Sequence, residues 1–128
     1  MARALPALER AHKLQKRAAQ IGFDWPEVAG ALEKVYEELN EVTAALDEQD
    51  QQQITEELGD LLFAVVNVVR LAKVRAEPCL RQANDKFERR FRQMEGILEA
   101  DGHTNGKQTT LATMESAWEQ VKQEEKQA

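Results

Sequence analysis

One cysteine, three prolines and six glycines are all that 128 residues hold of the types that staple, stop and bend a chain. A lone Cys79 cannot close an internal disulfide, which suits a reducing compartment. So few turn-forming residues argue against a many-stranded β protein and favour helices. Histidine is equally scarce: His12 and His103, with one cysteine, cannot furnish a Cys/His zinc set. Neither lies beside an acidic pair, as a di-iron bundle requires. The single serine, Ser116, has no histidine near it in sequence to suggest a nucleophilic triad. No glycine-rich loop leads into Lys-Ser/Thr, which removes the P-loop. Long apolar runs are missing too. The greasiest, Leu61 to Val69, is interrupted by Asn67 and falls well short of the ~20 residues of a membrane span. The first twenty residues have no apolar signal core, so the expected setting is cytoplasmic, with no membrane partner.

What is present reads as one soluble domain over residues 1–128, with 1–6 and 124–128 expected to fray. The chain is 42% hydrophobic and 31% charged, with a net charge of −6, which argues against a nucleic-acid partner. The charge is unevenly placed. From Glu33 to Asp60 there are ten acidic residues and one basic residue, Lys34; from Arg70 to Arg92 there are eight basic and three acidic. Such blocks suit a metal–phosphate site or, equally, two solvated helix faces. Apolar spacing and the Gly and Pro positions predict five helices: Ala7 to Gln20, Pro26 to Leu46, Gln52 to Arg75, one from near Pro78 to Ala100, and Leu111 to Gln123. A loop is expected over Asp101 to Gln108. The broad apolar surface of the third helix requires burial on several sides, in a bundle or a dimer.

Two acidic motifs stand out, Glu37-Glu38-Leu39-Asn40-Glu41 and Glu56-Glu57-Leu58-Gly59-Asp60. Carboxylates three apart are neighbours on a helix face and repel one another. The second helix has an apolar stripe at Val28, Leu32, Val35, Leu39, Val42 and Leu46, and the third at Ile54, Leu58, Leu61, Leu62, Val65, Val69 and Ala72. At roughly 100° per residue, Glu38 and Glu41 lie to one side of their stripe, and Glu57 and Asp60 share that offset on theirs. In an antiparallel hairpin turning at Asp47 to Gln51 the two pairs emerge on one side at matched heights. Glu37 and Glu56 point to solvent. Two unit charges ~5 Å apart repel by about 3 kcal/mol at an effective dielectric near 20. A hard divalent cation such as Mg²⁺ offsets that; splayed, screened glutamates are the competing reading. On the fourth helix Lys86 and Arg90 lie one turn apart beside the stripe Leu80, Phe87, Phe91, Met94 and Leu98, whereas Arg89 points away. Together they can grip one polyanion or, equally, stand as ordinary exposed cations.

The blocks Lys34 to Val42, Glu56 to Phe63 and Ala83 to Phe91 resemble the MazG nucleoside triphosphate pyrophosphohydrolases, whose hallmark E-E-x-x-E followed by E-x-x-D is present in full. The resemblance extends from about Ala7 through Gly22-Phe23-Asp24-Trp25 to Trp118–Lys122, and is greatest to the C-terminal of the two domains of long bacterial members. Their first domain has no counterpart in these residues, so a short member and a piece of a longer protein both fit. The resemblance implies an all-α bundle of four to five helices pairing across a homodimer. It also implies hydrolysis of a nucleoside triphosphate to monophosphate and pyrophosphate, dependent on Mg²⁺, with Mn²⁺ able to substitute. It places Glu38, Glu41, Glu57 and Asp60 as metal ligands and catalytic carboxylates, Lys86 and Arg90 on the triphosphate, and Trp118 and Lys122 near the nucleotide. Simple packing remains open for Trp118. Water activated by the metal would be the nucleophile. The rival reading is a non-catalytic module that binds nucleotide or dimerises a larger protein.

Overall fold

Five α-helices and no strand occupy the residues described by the computed structural model, 5–103 and 109–127. They are α1 (Ala7–Gln20), α2 (Val28–Glu48), α3 (Gln51–Leu71), α4 (Ala76–Ala100) and α5 (Leu111–Gln127). The all-α expectation holds, and the helix boundaries move by a few residues. Of the loop expected at 101–108, residues 104–108 lie outside the described part, as do Met1–Ala4 and Ala128. No helix among the described residues is long and apolar enough to cross a membrane.

Local chemistry sets these limits. α2 closes on Gln49 in the left-handed region (φ 60), whose N–H returns to Ala45 and Leu46 carbonyls. Asp50 then caps α3 by accepting the Gln52 and Gln53 N–H groups at 3.1 and 3.4 Å. A two-residue connection therefore folds α3 back along α2. α2 starts at Val28 and not Pro26, because Glu27 is extended and the preceding connector is drawn toward α3 by Asp24. α3 ends at Leu71, short of Arg75. There Lys73 takes φ 67, its N–H bonds the Arg70 carbonyl, and Val74 N–H reaches Val69 O at 3.1 Å, a Schellman stop. Arg75 is instead paired with Glu9 of α1. α5 continues through Glu124–Gln127, past the expected end at Gln123.

The chain forms two compact units, Met1–Cys79 and Leu80–Ala128. In the first, α3 packs on α2 and α1. The buried line of α2 is Ala31, Glu38, Val42 and Ala45, while Leu32, Leu39 and Leu46 of the expected stripe are 44, 47 and 53% exposed. The seam is thus turned by roughly 70° toward Glu38. Small Ala31 and Ala45 let the helix axes approach, so the leucines flank the seam. On α3, Leu58, Leu62 and Val65 are likewise exposed, and Ala64 and Val66 are buried. In the second unit Met94 and Leu98 of α4 pack with Ala117 and Val121 of α5, bordered by Ile97, Met114 and Trp118.

Candidate active site

The α2–α3 hairpin gathers three of the four expected carboxylates. Glu38, Glu57 and Asp60 each present an oxygen within 4.8 Å of the others. Glu38 is buried, Glu57 half-buried and Asp60 exposed. Glu41 is exposed and outside this trio, yet close enough that its charge acts on Glu57. Glu57 has its pKa raised, first by partial burial and then by the charges of Asp60, Glu41, Glu38 and Glu56. That is the electrostatic signature of acids crowded without a counter-charge of equal size. Lys34 supplies part of one: its Nζ stands 3.1 Å from Glu38 and 3.6 Å from Glu37, and the Glu38 hydrogen bond raises its pKa.

The donor set is all carboxylate oxygen, which selects hard cations such as Mg²⁺ or Mn²⁺ over zinc or copper. Two ligands at about 2.1 Å from one Mg²⁺ are at most ~4.2 Å apart. The three oxygens lie within 4.8 Å of one another, close to that span. The residues fit a divalent ion.

A cavity of about 480 Å³ opens beside these acids, and Glu38 and Asp60 form part of its wall. Phe23, Trp25 and Phe63 contribute aromatic surface, and Gln15, Asn67 and Arg70 contribute polar groups. The Gly22–Glu27 connector is held there by a two-pronged ion pair: Arg70 donates to Asp24 Oδ1 at 2.6 Å and to Oδ2 at 3.2 Å. Asp24 Oδ1 also accepts the Trp25 N–H, and the Arg70 bond keeps the Asp24 carboxyl below the usual carboxylate range. The Trp25 ring then lies on Gly30, where a Cβ would stand 2.9 Å from Cε3. Only glycine admits the ring that closely.

The second unit carries the other expected site residues. Arg90 of α4 is engaged by Glu125 of α5 through bonds of 2.9 to 3.2 Å, which raises the pKa of Arg90 and lowers that of Glu125. Lys86 has no ion-pair partner among the described residues, although its charge reaches Glu125. Trp118 leans on Phe87 with ring centroids 5.4 Å apart and borders the core, as a packing tryptophan does. Lys122 pairs with Glu119 at 3.4 Å.

The sequence reading passed over Gln15, Lys34, Asn67 and Arg70. Signals existed for two. Asn67 breaks the most apolar run of the chain, and Lys34 is the one cation inside the acidic block. Gln15 shares a helix face with Leu8, Ala11, Leu14 and Ala18, which signals burial but not a polar role in a cavity.

With this geometry in place, residues 26–94 match the family model described as the MazG nucleotide pyrophosphohydrolase domain. The chain is 49% identical over 126 residues to the nucleoside triphosphate pyrophosphohydrolase of Escherichia coli (strain K12), covering 96% of this chain and 47% of that protein. It is 40% identical over 118 residues to the nucleoside triphosphate pyrophosphohydrolase/pyrophosphatase MazG of Thermotoga maritima, covering 92% of this chain and 45% of that one. The chain therefore spans about half the length of these curated relatives.

Proposed function

The chain belongs to the MazG nucleotide pyrophosphohydrolase family, and from that premise we propose that it hydrolyses nucleoside triphosphates to the monophosphate and pyrophosphate in a Mg²⁺-dependent reaction. The observation that carries this reading is the convergence of Glu38, Glu57 and Asp60 at the edge of a cavity of nucleotide size. These three would hold the ion, with Glu41 as the fourth ligand. When bound, the ion supplies positive charge for the triphosphate and lowers the pKa of water for attack at the α-phosphorus.

The protein's own groups do the rest. One of the four carboxylates takes the proton released as water attacks. Lys86 and Arg90 offset charge that builds on the departing pyrophosphate, Arg90 exchanging Glu125 for phosphate oxygens. Trp118 and Lys122 lie near the nucleotide in this assignment. The reaction is placed in the cytoplasm, and the active form is a homodimer. Support for the dimer comes from the exposed apolar side chains of Leu32, Leu39 and Leu46 on α2 and of Leu58, Leu62 and Val65 on α3.

The test is direct. The purified chain is incubated with each common ribo- and deoxyribonucleoside triphosphate and Mg²⁺, and monophosphate and pyrophosphate are quantified. Glu38→Gln and Asp60→Asn are expected to lower kcat by at least about 10²-fold, as loss of a metal ligand does, with helix content unchanged by circular dichroism. Near-normal turnover in both variants would refute the assignment of these carboxylates, and nucleotide binding with no product from the wild type would refute the hydrolase reading.

A further inference from the structure

Arg90 of α4 turns its Nε–Nη2 edge to α5. Nε donates to both oxygens of Glu125, at 3.2 and 3.1 Å, and Nη2 donates to Oε2 at 2.9 Å. That edge carries two parallel N–H groups, the fork with which arginine grips phosphate oxygens. A carboxylate of the protein thus fills the grip that the proposed reaction gives to phosphate. Arg90 pairs with no other acid among the described residues. Two more cations of α4 act on the same carboxylate: Arg89 Nη2 stands 3.9 Å from Oε1, and the charge of Lys86 reaches it as well. One negative charge against three positive ones leaves the cluster positive, so it still attracts an anion of higher charge. Local helix energetics do not account for the acid. Glu125 stands near the end of α5, the negative pole of the helix dipole, where a cation is preferred and an anion disfavoured. Its stabilisation comes from α4.

We propose that Glu125 is a built-in competitor for the phosphate grip of Arg90: it closes on the guanidinium in the empty site, opens for a triphosphate, and closes again to help pyrophosphate leave. The inference rests on the hydrolase reading, which puts Arg90 on the phosphates, and adds the group that sets how tightly they are held. A phosphate ligand finds Arg90 available only in the fraction of molecules whose pair is open, and its apparent affinity falls by that fraction. Glu125 therefore weakens substrate and pyrophosphate alike. A hydrolase gains from this wherever product release, and not chemistry, limits turnover. The acid also ranks ligands by charge. A triphosphate or pyrophosphate outcompetes one carboxylate for three cations, whereas a monophosphate has less advantage over it.

The test measures KM for ATP with Mg²⁺, and the inhibition constant of pyrophosphate, in wild type, Glu125→Gln and Glu124→Gln. Glu125→Gln is expected to lower both constants by about fivefold, the upper range for a partly exposed ion pair with two-pronged geometry. Glu124→Gln removes the same charge from the neighbouring position, where Gln120 donates to the carboxylate and no ion pair forms among the described residues. It is expected to leave both constants unchanged. The gain from Glu125→Gln is expected to vanish when both chains compared also carry Arg90→Ala. Glu125→Asp keeps the charge but is one methylene too short to hold both N–H groups. It is expected to lower both constants by about twofold, and it serves as the second probe should Glu125→Gln lose helix content. Constants that match or exceed those of wild type in Glu125→Gln and Glu125→Asp overturn the competitor and leave the hydrolase reading intact. So does a gain that Glu124→Gln equals or that Arg90→Ala leaves undiminished, since either marks general repulsion of the substrate. Absence of hydrolysis of any triphosphate by the wild type removes the hydrolase reading, and the competitor falls with it.

Discussion

Replacing Asp24 by asparagine isolates the contact that holds the cavity's outer wall. The native carboxylate receives two Arg70 N–H bonds, at 2.6 and 3.2 Å, and the side chains are only 24% and 12% exposed. Hydrogen bonds to a charged group contribute ~1.5–3 kcal/mol, against ~0.5–1.5 for neutral ones. Asparagine has one oxygen to accept with and an NH₂ that cannot, so one bond falls from charged to neutral strength and the other is lost, at least about 2 kcal/mol together, and a largely buried guanidinium is left without its counter-ion. With a urea m-value of about 2 kcal/mol/M, that shifts the unfolding midpoint by about 1 M. The pH dependence separates this from a packing defect. The Arg70 bond depresses the Asp24 pKa, so the stabilisation is fully present above the unfolded carboxylate value of about 3.9 and is lost as pH falls through the folded value. Urea titrations should show the full gap between wild type and Asp24→Asn at pH 7, shrinking from about pH 4 downward. A gap below about 0.5 kcal/mol at pH 7, or one independent of pH, would refute the reasoning.

Two further outcomes are expected. Glu57 has a raised pKa, so its ionisation disfavours the metal-free fold: the fold is favoured below the unfolded carboxylate value and loses that advantage as pH rises through the folded one. Glu57→Gln should accordingly raise the melting temperature of the metal-free chain at pH 7 and flatten its pH dependence; a lowered temperature would count against crowding among the acids. Leu62, 63% exposed on α3, belongs to the face assigned to the dimer. Leu62→Lys should halve the mass seen by light scattering with helix content retained, and an unchanged mass places the interface elsewhere.

The hairpin and its acids were legible because two local signals agree. Glu38 and Asp60 sit at equal distance from a turn that Asp50 caps, and helical spacing puts both on one flank of an apolar stripe. The rotation of α2 was not legible. A stripe of leucines and valines is the stronger hydropathy signal, yet Ala31 and Ala45 decide the seam, because short side chains permit the closest helix approach. Spacing alone also cannot separate Glu41 from the other three carboxylates, since side-chain torsions and not backbone register set which oxygens meet. The cavity was hidden for a different reason. Its polar groups come from α1, a connector and α3, and their meaning rests on pairings such as Gln15 with the Phe63 carbonyl, which no local pattern records.

Calorimetric titration of Mg²⁺ into the metal-free chain bears most directly on the carboxylate cluster. Wild type should bind the ion saturably, and Glu38→Gln, Glu57→Gln and Asp60→Asn should each weaken binding by about tenfold or more, with Glu41→Gln reporting whether the fourth acid joins them. Binding that survives unchanged in all of the first three variants, or no heat from the wild type at millimolar Mg²⁺, would contradict a metal centre at the hairpin.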